Sequence, residues 1–405
     1  MFKSSRLFFL FCFVLCFSCQ NKHKEKINSN KTPNTNNFID NQLNHARQQL
    51  GLLLSEAEKA KRIPRTVKHG EIYWANQDFD WTEGFFPGTC WYLYENSNDL
   101  KWKQAAETMQ LQFELHKNKT DNHDLGFIFN CSYGNGYRLT GNQSFKQVLI
   151  DAGNSLITRF NPKIGCIQSW EVTSGWQAER GWKYPVIIDN MMNLELLFEL
   201  SKITKDPKYK KVAIAHANTT LKNHFREDAS SYHVVDYDPE TGKVRSKQTA
   251  QGYANNSSWA RGQAWGIYGF TVCYRYTKDE KYLKQAESIA KYILEHEEMP
   301  SDGIPYWDYH APNIPKEPRD VSAAAITASA LIELDQYSSK NYSIPIDRIL
   351  KSLASTKYMA KIGENYNFLL KHSVGSLPHR HEIDVPLSYA DYYYIEALLR
   401  LKKKT

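Results

Sequence analysis

The chain has 405 residues, of which 41% are hydrophobic and 13% aromatic, enough to bury one large core or two ordinary ones. Its formal charge of +7 comes from scattered lysines and a Lys402-Lys403-Lys404 end, with no concentrated basic stripe. This excludes a nucleic-acid binder and weakly favours an anionic small substrate.

The chain opens with Lys3 and Arg6 ahead of an apolar run of eleven residues, Leu7 to Phe17, too short to span a bilayer as a helix. Ser18-Cys19 closes the run, and a polar stretch rich in Lys and Asn follows. This resembles a bacterial lipoprotein signal. On that reading residues 1–18 are removed, Cys19 carries the lipid, and 19–38 is a flexible tether. Residues 39–405 then form a single catalytic domain, in the periplasm or at the cell surface, touching membrane only through its anchor. An ordinary cleaved signal and a soluble periplasmic protein are the alternative. Cys90, Cys131, Cys166 and Cys273 of the body lie far apart. No Cys-x-x-Cys pair or His/Cys cluster points to zinc. Buried free thiols are expected, with a disulfide as the alternative in an exported protein.

The body repeats a helical hairpin. In Tyr137-Arg138-Leu139-Thr140 and Tyr274-Arg275-Tyr276-Thr277, a Tyr starts the last turn and a Thr ends the helix; an aromatic, Phe145 or Tyr282, starts the next. Thr204 and Tyr209 keep the spacing, and Ser97 and Trp102 keep it more loosely. Nearly all-apolar stretches (Gly126 to Tyr137, Met191 to Leu200, Ala264 to Tyr276) alternate with single-stripe ones, such as Leu283, Ala286, Ile289, Ala290 and Ile293. The first kind is buried and the second lies outside. Stacked inner and outer helices predict an all-α fold, an (α/α)6 toroid, with an open solenoid as the alternative. Val321 to Tyr337, Ile344 to Tyr358 and Leu387 to Lys402 complete the series. Strand alternation is scarce, and short extended pieces are expected in the loop from Ser231 to Gln251.

The long loops Tyr73–Pro87, Ile167–Asp189, Tyr232–Trp265 and Ser301–Asp320 precede inner helices and so gather at one rim. They hold eight of the ten tryptophans, among them Trp81, Trp170, Trp259 and Trp265. One Trp is ordinary core; a concentration beside polar groups fits a cleft that stacks on a sugar. Asp124 and Asp189 each stand directly in front of an apolar helical pattern. Either alone reads as an N-cap. Two carboxyls delivered to one cavity are the equipment for acid/base work on a glycosidic bond. Ser258 is placed to cap a helix carrying Arg261 in its first turn. There an anionic ligand or an internal carboxylate would offset the helix dipole, and the motif alone leaves both open.

Four motifs occur in order: Asp80-Trp81-Thr82-Glu83-Gly84-Phe85-Phe86-Pro87-Gly88, His123-Asp124-Leu125-Gly126-Phe127, Ile187-Ile188-Asp189-Asn190-Met191-Met192-Asn193-Leu194 and Trp259-Ala260-Arg261-Gly262-Gln263-Ala264-Trp265. Together they resemble the unsaturated glucuronyl hydrolases of glycoside hydrolase family 88. The resemblance implies the toroid and an unsaturated uronate di- or oligosaccharide as partner. It implies hydration of a C4=C5 enol ether with no metal and no cofactor, by a monomer or weak dimer. It makes Asp189 the proton donor and water activator and Asp124 its partner carboxylate. It assigns Trp81, His123, Trp170, His233, Gln251, Trp259, Arg261 and Trp265 to the substrate, and Ser373 and Ser376 to the second sugar or its sulfate. Two other classes remain beside it. A sugar epimerase on the same toroid would use His123, His233, His379 and His381 as proton shuttles. A glycan-binding lipoprotein would do no chemistry.

Overall fold

The computed structural model describes Met1 and residues 33–404. The leader expectation and the lipid site at Cys19 lie outside the described residues. The first helix, Pro33–Ala60, begins within the segment 19–38 assigned above to the tether, so the helical body starts at Pro33 and not at 39. Proline suits a first turn. From Ile39 onward the helix buries Leu43, Ala46, Leu50 and Leu53 at helical spacing.

Among the described residues six inner and six outer helices alternate along the chain. The inner ones are Phe85–Ser97, an interrupted helix through Leu125–Phe129, Asn130–Gly134 and Asn135–Thr140, then Leu194–Thr204, Ala260–Thr277, Val321–Leu334 and Ser388–Lys404. The outer ones are Pro33–Ala60, Leu100–Gln110, Gln143–Ile157, Pro207–Asn223, Glu280–Glu295 and Ser343–Leu353. Each inner helix packs on the next, and the last packs on both the first inner and the first outer helix, closing the ring. The result is an (α/α)6 toroid. Burial follows the expected division. Every residue of Val321–Leu334 is buried, while Glu280–Glu295 buries only its stripe from Tyr282 to Ile293. One continuous apolar core runs from Ile39 to Leu399.

The repeated Ser/Thr marker has a physical cause. The hydroxyls of Ser97, Thr140, Thr204 and Thr277 each donate back to the carbonyl four residues earlier, at 2.6 to 2.7 Å. Each also accepts the N–H two residues on, at 3.2 Å. That N–H belongs to Asp99, Asn142, Asp206 or Asp279, whose side chain caps the following outer helix. Between them Asn98, Gly141, Lys205 and Lys278 take positive φ. Back-bonding, a left-handed residue and an N-cap thus turn the chain at four successive inner-to-outer corners. The aromatics that follow, Trp102, Phe145, Tyr209 and Tyr282, are all buried.

The opposite corners are long, and they carry strands the sequence did not announce. Val234–Tyr237 pairs with Val244–Gln248, as expected, but also with Pro185–Ile187. Hairpins Pro64–Lys68/Glu71–Trp74, Phe160–Asn161/Cys166–Ile167 and Ser373–Ser376/His381–Val385 join them. Their alternation is too short to register as a period. Cys90, Cys131, Cys166 and Cys273 are free and buried. Among the described residues no helix is long and apolar enough to cross a membrane.

Candidate active site

Two backbone devices bring the carboxyls together. Gly126, two residues after Asp124, lies so close to Asn193 that a Cβ there would stand 2.3 Å from the Asn193 Cα. Asn193 Oδ1 accepts the Phe127 N–H at 2.9 Å and pins the contact. On the other side, the strand Pro185–Ile187 pairs with Val234–Tyr237, and Ile188 N–H donates to His233 C=O at 3.0 Å. Asp189 therefore follows the sheet edge directly, as the second residue of a short 3-10 turn, Ile188–Asn193.

Neither aspartate serves as a cap. Asp124 holds the N-cap position of Leu125–Phe129 without a side-chain hydrogen bond to it. Asp189 Oδ2 is buried with no partner. Both line one cleft of about 160 Å³. Burial, and then the charge of Asp189, push Asp124 well above the usual carboxylate range. His123 is driven down to about 3 by burial, against the pull of Asp189, so it stays neutral. Its Nε2 lies 3.5 Å from Asp124 Oδ1, and His233 Nε2 lies 3.6 Å from Asp189 Oδ2.

Of the residues named from sequence, Trp81, His123, Asp124, Trp170, Asp189, Gln251, Arg261 and Ser376 line the cleft. Trp170 stacks on Trp182 with ring centroids 5.6 Å apart. His233 stands behind Asp189, and Trp259 packs on the His233 ring at 4.7 Å. Trp265 is a correction: it lies inside the helix Ala260–Thr277, fully buried against Phe127 and Tyr393 beneath the cleft. Ser373 is also fully buried and does not reach the cleft. Ser376 does, with its Oγ 2.7 Å from His379 Nδ1. Ser258 caps nothing. Trp259 takes the N-cap position without a side-chain bond, and Ser258 Oγ has no partner. Arg261 meets an internal carboxylate, Asp320 Oδ2 at 3.0 Å, and the carbonyls of Val374 and Gly375. Its Nε is left over.

No motif or period in the sequence singles out Arg65 or Glu382. Arg65, on the first hairpin, bridges Asp80 at 2.8 Å and Glu382 at 2.7 Å. Against burial, His381 and Arg65 hold Glu382 down to about 2. Tyr389 begins the last inner helix, and its buried hydroxyl has no partner. Beneath Phe127 lies a second cavity of about 450 Å³ toward the other end of the ring. Its charges satisfy one another: Arg275 pairs with Glu195 and Glu333, and Arg400 with Glu333 and Glu396. The rim cleft instead gathers groups without partners, and buried polar groups left unpaired call for an occupant.

Two carboxyls that feel each other's charge supply an acid and a base at one point, the division of labour that cleaving a glycosidic bond requires. The molecule is thus a glycosidase on an (α/α)6 toroid. The model of Glycosyl Hydrolase Family 88 matches residues 56–396. An unsaturated glucuronyl hydrolase from Formosa agariphila is 43% identical over 93% of this chain and 93% of its own. The crystal structure of an unsaturated glucuronyl hydrolase specific for heparin aligns with TM-score 0.85 at 45% identity, over 91% of this chain and 99% of its own. An Asp-to-Asn variant of the Streptococcus agalactiae unsaturated glucuronyl hydrolase, complexed with dGlcA-GalNAc6S, aligns with TM-score 0.76 at 29% identity, over 91% of this chain and 92% of its own. The chain belongs to Glycosyl Hydrolase Family 88.

Proposed function

We propose that the enzyme removes the 4,5-unsaturated uronic acid from the non-reducing end of lyase-generated oligosaccharides, of glycosaminoglycan type or from other polyuronates. One observation carries the reading: Asp124 and Asp189 open onto a single cleft, and neither side chain is spent on a helix cap. The substrate's C4=C5 bond is an enol ether through the ring oxygen. Asp189 gives a proton to C4, and the π pair becomes the new C4–H bond. Positive charge develops at C5 and is shared by the ring oxygen. Water adds at C5 and returns a proton to Asp189. The hemiketal opens to a C5 ketone, C1 becomes an aldehyde, and the remaining chain leaves with its oxygen. Burial, and then the charge of Asp189, keep Asp124 protonated at pH values where an isolated carboxyl has lost its proton.

Trp81 and Trp170 offer flat faces to the sugar ring. The substrate carboxylate supplies the acceptor that Tyr389 Oη and Arg261 Nε lack. Gln251 and Ser376 face the leaving sugar, and Ser373 supports that hairpin from within. The test follows the near-ultraviolet absorbance of the conjugated double bond during incubation with sulfated and unsulfated unsaturated disaccharides. Loss of absorbance with at least one is expected, and persistence with all rejects the reading. We also propose that the enzyme works outside the cytoplasm, tethered through a lipid on Cys19. Mass spectrometry of the N-terminal peptide from membranes should find that residue acylated. A soluble mature chain lacking it favours the cleaved signal.

A further inference from the structure

Each carboxyl has a histidine directly behind it, and the proton of each ring can be located. His233 Nδ1 accepts the backbone N–H of Ala250 at 3.0 Å and of Gln251 at 3.1 Å. A ring nitrogen that accepts two donors carries no proton, so the proton sits on Nε2. That Nε2 is buried, has no hydrogen-bond partner, and faces the equally unpartnered Asp189 Oδ2.

His123 repeats the arrangement with different parts. Asn193 Oδ1 is taken by Phe127 N–H, so the Asn193 amide nitrogen faces His123 Nδ1 at 3.3 Å and Asn190 Oδ1 at 3.3 Å. Asn190 is oriented in turn by its own Nδ2, which donates to Ile167 C=O at 2.8 Å. His123 Nδ1 is therefore an acceptor, and its Nε2 proton points at Asp124 Oδ1.

We infer that His123 and His233 are positioning residues. Each is locked by its surroundings in the Nε2–H tautomer, and each holds one oxygen of a reacting carboxyl so that the other is presented to the sugar. The inference rests on the hydrolase reading above. The separations of 3.5 and 3.6 Å exceed a hydrogen bond, and active-site contacts of this kind tighten when substrate fills the cleft. A histidine whose Nδ1 is occupied by fixed donors cannot pass a proton from one nitrogen to the other. This separates the arrangement from the epimerase alternative.

A neutral donor to a carboxylate favours the ionised form, so removing it raises the carboxyl pKa. Asp189 is also faced by Asp124, His123, His224 and Arg261, and these are unchanged in the variants that follow. Asparagine at position 233 keeps an acceptor near Nδ1 and loses the Nε2 donor. Glutamine keeps a donor near Nε2. His233→Asn should lower kcat about ten- to hundred-fold at nearly constant KM. Because the acid must be protonated, the alkaline limb of kcat should move up by about one pH unit. His233→Gln should recover most of kcat and return the limb toward that of the wild type. A rise in KM alone, or an unmoved limb in both variants, overturns the positioning role.

Nitrogen NMR of the substrate-free full chain, labelled in histidine, tests the tautomers without any turnover and stands even if a variant misfolds. A bare Nδ1 and protonated Nε2 are expected for both rings. A protonated Nδ1 on either one refutes the lock. A wild type that turns over no unsaturated disaccharide refutes the hydrolase reading and leaves the tautomer result standing.

Discussion

Asp189 is unusual among buried acids in that its side chain accepts no hydrogen bond, and its nearest donor, His233 Nε2, is 3.6 Å away. Its replacement by the isosteric amide therefore disturbs little but the chemistry. Asp189→Asn is expected to cut turnover by about a thousandfold or more while leaving the thermal midpoint within about 2 °C. Disaccharide absorbance and calorimetry on the same sample check both halves. Retention of most activity would move the acid to Asp124. The two aspartates were legible in the sequence because each precedes an apolar helical pattern. Their freedom from capping was not, because it depends on φ/ψ at Asp124 and on the short turn that carries Asp189.

At the scale of elements the cleft is built from pieces far apart in the chain, which explains what the sequence concealed. Arg65, Glu382 and Tyr389 meet only because two hairpins and the last inner helix converge, and no local period marks that convergence. Trp265 misled for the opposite reason. It follows a long loop closely, but the helix has already begun at Ala260 and turns the indole into the core. The inner–outer alternation was readable because burial all round and burial on one stripe leave different patterns. Gly126→Ala tests the contact that joins the second inner helix to the Asp189 turn. Its methyl would meet the Asn193 Cα and the Asn193 side chain, whose Oδ1 is held by the Phe127 N–H. A loss of about 1–3 kcal/mol in denaturant unfolding is expected, with kcat falling further than stability explains. Unchanged kcat would show that the carboxyl spacing tolerates a shift. Glu382 gives a pH signature. Its folded pKa lies below the unfolded value, so its contribution is present above about pH 4.5 and is lost as pH falls toward 2. The wild type should lose on the order of 3 kcal/mol over that window that Glu382→Gln does not lose. Parallel acid-unfolding curves for the two would remove Glu382 as the clasp between hairpins.

The whole molecule depends on closure. Glu396 of the last inner helix accepts from Tyr92 at 2.8 Å, Tyr268 at 3.0 Å and Ser329 at 2.6 Å, tying it to the first, fourth and fifth inner helices. A chain ended at Pro386 would expose the faces that Tyr389, Tyr393 and Leu398 now cover. Such a chain should show no cooperative calorimetric transition and should elute as aggregate. A sharp melt near the wild-type midpoint would show that five inner helices suffice. The four buried thiols extend this to motion. Cys90, Cys131 and Cys273 sit on the first, second and fourth inner helices, and Cys166 lies under the rim. Cys90, Cys166 and Cys273 are fully buried and cannot react until their own sectors part, while Cys131 lines the second cavity and reports access to it. Timed alkylation followed by peptide mapping would therefore act as a stopwatch with four hands, recording which seam of the ring breathes first.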